Sequence, residues 1–383
     1  MYLNKNYSDK NISLAVFFIL IGYFFINLSF LSDGVRQIIA FSFFILSILF
    51  SLKYVISDFV LNLRSGSVLL GVFICLYVFI FSNIILPFKE YGINKYHYFL
   101  FVIVISFCAI PLHLSRNANM KLFANGLFWI SLTYCFIAIV FADASLGRRS
   151  EAGLNPSILA RIAMICGVYS ANLMIFKGIT KKSLFVVIFS VVAVLFTATK
   201  TPVPVFIFSL LIVYYRYVKW YNIFKYFKYM LVIIPLIFIL IQWFVPKEFV
   251  DRVFDPKGLS VESQSVEGNR FQLYDVAIDV IYNNPLGSGF GGFAKHHSFI
   301  IAPHNIFLEF GVELGFVFML LFMIWCFCII KKIMCVKKLD FYKGFYFTLF
   351  FYLFLSSLFG GEITIQALLL YIVGNYILFY LKP

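Results

Sequence analysis

Apolar runs close to the thickness of a bilayer recur along this chain, and they leave little choice of fold. A helix needs about 20 apolar residues to cross the roughly 30 Å hydrocarbon layer. Runs bounded by charges, prolines or glycines fall at about 12–31, 37–57, 67–87, 97–113, 121–142, 157–176, 183–199, 202–217, 229–246, 304–330, 342–359 and 363–381. Hydrophobic residues make up 62% of the chain and charged ones 13%, too little polar surface to cover a water-exposed globule. The expected fold is an all-α polytopic membrane protein with about twelve transmembrane helices. Runs seven and eight are short and almost continuous, which fits a tight pair or one incomplete crossing. The first run follows Lys5 and Lys10 as a signal peptide would. The runs after it favour a retained signal-anchor helix.

The net charge of +14 admits a nucleic-acid partner until its distribution is considered. With the amino terminus inside, the inner segments carry most of the Lys and Arg residues and only Asp9, Asp58 and Asp340 as acids. That asymmetry orients a membrane protein, so no nucleic-acid partner is expected and both termini are expected in the cytoplasm. The seven cysteines lie in or beside apolar runs, with no CxxC pair and no Cys/His ladder. A disulfide framework and a zinc site are therefore unsupported.

One segment departs from the short connections. Residues 247–303 form a polar loop on the expected outer face, between helices 1–9 (residues 1–246) and helices 10–12 (residues 304–383). Inside it, "GNRFQLYDVAIDVIYNNP" places Phe271, Leu273, Tyr274, Ala277, Ile278 and Ile281 at nearly helical spacing. Asn284-Pro285 ends that pattern. The spacing predicts a helix lying on or over the membrane, followed by a pliable turn, "LGSGFGGF". Gly287, Gly289 and Gly292 match a dinucleotide-binding spacing, but no βαβ unit surrounds them.

The same face gathers cations. Arg148 and Arg149 stand at its edge, and Arg161 lies about one turn inside the next run, after the helix-opening pair Asn155-Pro156. Arginine inside a bilayer costs about 2.5–3.5 kcal/mol on insertion scales. It is retained there for a ligand or partner, or else it pairs with an acid or snorkels to the headgroups. Lys200 sits at the tip of "TATKTPVP", and Arg270 lies in the loop-helix block, off its apolar face. Arg binds phosphate oxygens through a fork and Lys as a point charge, so cations at headgroup depth point to a phosphate-bearing lipid. His304 opens the tenth run in "APHNIFLEFGVELGF", beside Asn305. An unperturbed imidazole titrates near 6.5, which suits proton abstraction. Gly311 and Gly315 have the small-xxx-small spacing that lets helices approach closely. No phosphate loop, HExxH or Asp-x-Asp motif is present, and no metal or cofactor is expected.

"TATKTP", the loop-helix block through "LGSGFGGF", and "PHNIFLEFGVELG" together resemble the O-antigen ligase and O-antigen polymerase superfamily of bacterial membrane glycosyltransferases, over roughly residues 145–360. The resemblance implies a GT-C-like architecture with one large periplasmic loop carrying a surface helix. It implies metal-independent, inverting transfer of a glycan from undecaprenyl diphosphate at the periplasmic face of the inner membrane. The acceptor would be a lipid-linked repeat unit in a polymerase and lipid A core in a ligase, with a chain-length regulator as a further partner. Carried over by motif, Arg270 binds diphosphate and His304 activates the acceptor. Lys200 falls where the family usually has arginine, keeping the charge without the fork. Arg148, Arg149 and Arg161 join the diphosphate set by location alone. Polymerase is favoured over ligase. A carrier of lipid-linked sugars would show related halves and a mid-membrane site, whereas here the polar groups gather at one face.

Overall fold

The computed structural model describes residues 9–27, 33–57, 66–109, 117–140, 156–197, 199–217, 270–296, 302–360, 363 and 367–381. Among the described residues every regular element is helical. In chain order these are α1 (Asp9–Ile26), α2 (Asp33–Ser57), α3 (Gly66–Ile84), α4 (Lys89–Ile103) and α5 (Asn117–Val140). Next come α6 (Pro156–Lys177), α7 (Lys181–Phe196), α8 (Pro202–Tyr217), the loop helix α9 (Arg270–Asn283) and the short α10 (Phe293–His296). The last four are α11 (Ile306–Leu314), α12 (Phe316–Cys335), α13 (Phe341–Leu358) and α14 (Leu368–Asn375). The expected run 229–246 lies outside the described residues.

Among the described residues, four helical segments are long and apolar enough to cross a membrane: α3, Asn119–Val140 of α5, α6 and α12. Shorter apolar segments lie in α1, α2, α8 and at Leu368–Tyr380. On α3, Leu69, Val72, Phe73, Leu76, Phe79 and Ile80 are all exposed and recur at helical spacing. An apolar stripe turned away from the protein is what a lipid-facing helix presents.

Where helices pack, small and polar side chains join them, as expected where water cannot satisfy polar groups. Ser131 on α5 donates to the Ile162 carbonyl of α6 at 2.6 Å and accepts the Cys166 N–H at 2.6 Å. Asn172 on α6 accepts the hydroxyl of Tyr214 from α8. Thr180 and Ser183 form a reciprocal cap at the start of α7, and the Asp340 carboxylate caps α13 by accepting from Lys343 N at 2.9 Å.

Two helices differ from the sequence expectation. The fourth run, expected at 97–113, begins at Lys89 and widens into a π-turn over Val104–Ala109. Carbonyls in that turn are captured by other helices: Phe107 accepts from Ser67 at 2.6 Å and Ser106 from Asn375 at 3.1 Å. The helix starts early because Lys95 is buried against partners far along the chain, so its charge does not mark a solvated flank.

The tenth run is not one helix. It breaks at Gly315, whose φ of 93° and ψ of 165° no right-handed helix allows. A helix end leaves its last carbonyls without partners, and here the glycine-rich segment supplies them. Ser288 N donates to Val312 O at 2.7 Å and Gly289 N to Glu313 O at 3.1 Å, while Phe316 N donates to Pro285 O at 2.9 Å. The Tyr77 hydroxyl takes the Leu314 carbonyl at 3.0 Å. Residues 287–293 are buried, so "LGSGFGGF" is a wedge set into a broken helix rather than a pliable turn. Gly315 accordingly serves the break and not close helix packing.

Candidate functional site

The loop helix occurs where its spacing predicts, over Arg270–Asn283. Its inner stripe is Leu273, Ala277 and Val280, packed with Phe293 of α10 and Val312 of α11. Ile278, expected on the apolar face, is exposed, and Val276 packs inward instead. Gly311 makes this docking possible, since a Cβ there would stand 2.6 Å from the Ile281 side chain. Of the expected glycine pair, Gly311 therefore receives the loop helix.

α9 and α11 both run with their C-terminal ends at the glycine wedge, so Arg270 and His304 mark the ends directed away from it. His304 does not begin the helix as expected. Asn305 is the N-cap, its side-chain oxygen accepting from Phe307 N at 3.0 Å and Leu308 N at 3.3 Å. His304 precedes that cap, exposed, with φ of 55°. The left-handed region is uncommon for a side-chain-bearing residue and is sustained only where neighbours enforce it. Buried Pro303 precedes it and the capped helix follows, so the exposed His304 is held between two fixed segments at the helix entrance.

α11 also touches α13. The Phe307 ring lies 5.9 Å from that of Phe354, and the neighbouring α13 residues Leu353, Ser356 and Ser357 line a cavity with Tyr23, Asn27 and Arg161. Arg161, half-buried, donates to the Gly360 carbonyl just beyond α13, and the α13 hydroxyl of Tyr352 donates to the Arg161 carbonyl at 3.0 Å. Thus Arg161 is fastened at the end of the bundle where α1 and α13 finish and α6 begins. Its guanidinium shares a mixed polar and apolar cavity with hydroxyl and carboxamide groups.

Lys200 belongs to the same end. α6 and α7 are antiparallel neighbours, and Gly167 of α6 lies directly against Ser190 of α7. From that pairing, α7 runs six residues on to its end at Phe196, toward the first turn of α6, and half-buried Lys200 follows in the turn just beyond it. Arg161, Lys200 and the α13 terminus are therefore grouped by topology. Arg270 is described at its backbone, as the first residue of α9. Arg148 and Arg149 lie outside the described residues.

Three ionisable residues to which the sequence assigns no role meet in the interior. Lys95 of α4 is 2% exposed, and Glu309 and Glu313 of α11 are fully buried. The Lys95 ammonium lies 2.5 Å from Glu309 Oε1 and 2.6 Å from Glu313 Oε1. The Glu313 oxygen also accepts the Gly291 N–H of the wedge at 3.2 Å. The two glutamates are four residues apart and so share one helix face. Glutamates at that spacing within an apolar run were the available signal, because buried charges are retained only with partners.

Comparison with known proteins bears on this same part of the chain. No curated protein matches the sequence. The family model described as O-antigen ligase matches residues 185–323, from within α7 through the loop helix, wedge and broken helix into α12. The match includes Lys200, Arg270, His304, Asn305, Gly311 and Gly315, and stops short of Arg161. Over that stretch, the chain is similar to the O-antigen ligase family, in agreement with the O-antigen ligase and polymerase resemblance of its motifs.

Proposed function

We propose that this chain is a membrane glycosyltransferase that polymerises undecaprenyl-diphosphate-linked O-antigen or capsule-type repeat units at the outer face of the bacterial inner membrane. The observation that carries this reading is the setting of His304. An exposed imidazole stands at a fixed backbone kink before a capped half-helix, and that half-helix packs on α13 next to the Arg161 cavity.

The acceptor hydroxyl oxygen attacks the anomeric carbon of the lipid-linked sugar. As the new C–O bond forms, the bond to the diphosphate oxygen breaks and the lipid diphosphate leaves. The hydroxyl proton passes to the His304 imidazole, and a positioned base of this kind contributes about 10²–10⁴ in rate. One displacement inverts the anomeric configuration. Negative charge grows on the departing diphosphate, where Arg270, Lys200 and Arg161 serve as counter-charges and no metal is required. Preorganised groups aimed at developing charge supply much of the acceleration in such reactions.

The description of the matching family as O-antigen ligase favours a second reading, transfer of the finished glycan to lipid A core. The donor chemistry is common to both, and the acceptor divides them. A strain lacking the gene, with surface polysaccharide separated by length, distinguishes the two. Core lipid bearing a single repeat is expected for a lost polymerase. Bare core with chains retained on undecaprenyl diphosphate would mean a ligase. Restoring the gene with His304→Ala or Arg270→Ala at matched protein level is expected to leave the defect, and Lys200→Arg to repair it. Full repair by both alanine variants would sink the assignment of the site.

A further inference from the structure

We propose that Glu309, held by Lys95, is a positioning residue that sets the place of His304. This rests on the reading that His304 acts on the acceptor hydroxyl. Three links connect the groups. The Lys95 ammonium on α4 holds Glu309 Oε1 at 2.5 Å. The Glu309 backbone N–H donates to the Asn305 carbonyl at 2.9 Å, closing the first turn of α11. Asn305, capping that turn through Phe307 N and Leu308 N, is bonded directly to His304.

The anchoring helix matches the task. α11 spans only Ile306–Leu314 and is cut from α12 at Gly315, so its neighbour along the chain does not fix its axial position. The ion cluster joins it to α4, and Glu313 joins it to the wedge through Gly291 N. The Tyr91 ring lies 5.8 Å from the Lys95 ammonium. A charge held in such surroundings defines position more sharply than apolar packing does, because displacement separates opposite charges in a poorly screening interior. Glu309 also lies in the first turn, where a negative charge suits the helix dipole.

The two glutamates provide the test. Both contact one ammonium, but Glu309 is in the turn closed on Asn305, whereas Glu313 is one turn further on, beside the wedge. In Glu309→Leu and in Glu313→Leu alike, Lys95 keeps one carboxylate. The full-length protein, purified in lipid nanodiscs, is assayed for transfer from a synthetic undecaprenyl-diphosphate-linked repeat unit, with kcat and donor KM measured separately. Glu309→Leu is expected to lower kcat at least about ten-fold, within the roughly 10²-fold that a 1 Å misplacement can cost, while donor KM stays put. Glu313→Leu is expected to keep kcat within about three-fold. In a His304→Ala background, Glu309→Leu is expected to lower kcat no further, since residues acting as one unit are not additive.

Equal losses from the two leucine variants, or a Glu309→Leu loss that adds to that of His304→Ala, would overturn the proposal and leave a cluster that only stabilises the fold. Wild-type kcat in Glu309→Leu would overturn it as well. If that variant does not accumulate, Glu309→Gln, which keeps shape and an acceptor oxygen, is read by the same criteria. A fully active His304→Ala protein would instead defeat the catalytic reading on which the proposal stands.

Discussion

Gly287 and Gly178 have nearly the same positive φ and opposite surroundings, which isolates the contribution of the wedge. Their φ values are 96° and 89°. A Cβ on Gly178 would meet nothing within 4 Å, whereas on Gly287 it would stand 2.7 Å from both Glu313 O and Gly315 N, and 2.9 Å from Leu314 C. Alanine at either position incurs the left-handed penalty of about 1–2 kcal/mol. At Gly287 the obstructing atoms are backbone on both sides of the helix break, so the wedge must withdraw. Withdrawal breaks the Ser288 N–Val312 O and Gly289 N–Glu313 O hydrogen bonds, 2.7 and 3.1 Å long. A buried backbone group left without a partner costs about 1–3 kcal/mol. Gly287→Ala is thus expected to be less stable than Gly178→Ala by about 2–6 kcal/mol for the two bonds together. Denaturant titration of the two purified variants in the same detergent measures that difference. Variants within about 1 kcal/mol of each other would refute the wedge as a structural cap.

Two further outcomes follow from the docking of the loop helix and the cap of α11. Gly311→Ala drives a Cβ toward Ile281 Cδ1, so about 1–3 kcal/mol of overpacking is expected. Ile281→Val removes that carbon, and the double variant should be more stable than the sum of the singles, as read from a thermodynamic cycle. Asn305→Ala removes the acceptor for Phe307 N and Leu308 N and is expected to cost about 1 kcal/mol. Its kcat for transfer should fall more than its overall stability, whereas unchanged kcat would mean that the cap does not position His304.

Features written in contiguous residues were legible in the sequence. The loop helix follows from the spacing of its apolar residues and a stop at Asn284-Pro285, and most of the described helices overlap apolar runs, the fourth starting early and the tenth being broken. What remained hidden depends on segments meeting. Glycines at 311 and 315 have the same local meaning on paper, yet one receives Ile281 and the other ends a helix, because the 285–292 wedge arrives at one and not the other. His304 and Asn305 read as a helix start, and only the backbone distinguishes the residue before the cap from the cap itself. Lys95 sits among Lys89, Glu90 and polar neighbours, so it reads as a solvated flank. Its acidic partners are 214 and 218 residues away, beyond the reach of any local pattern. Arg161, by contrast, stood out at once because its own run is apolar on both sides.

The most direct measurement is the turnover of His304→Ala against the unaltered protein, both purified in nanodiscs with a synthetic undecaprenyl-diphosphate-linked repeat unit as donor and acceptor. Matched thermal unfolding would establish that the variant is folded, and released lipid diphosphate and lengthened glycan would be counted together. The expected result is a loss of about 10²–10⁴ in kcat, the contribution of a positioned general base, with donor binding retained. Turnover within a few-fold of the unaltered protein would contradict the assignment of His304 as the base and require another group to take the acceptor's proton.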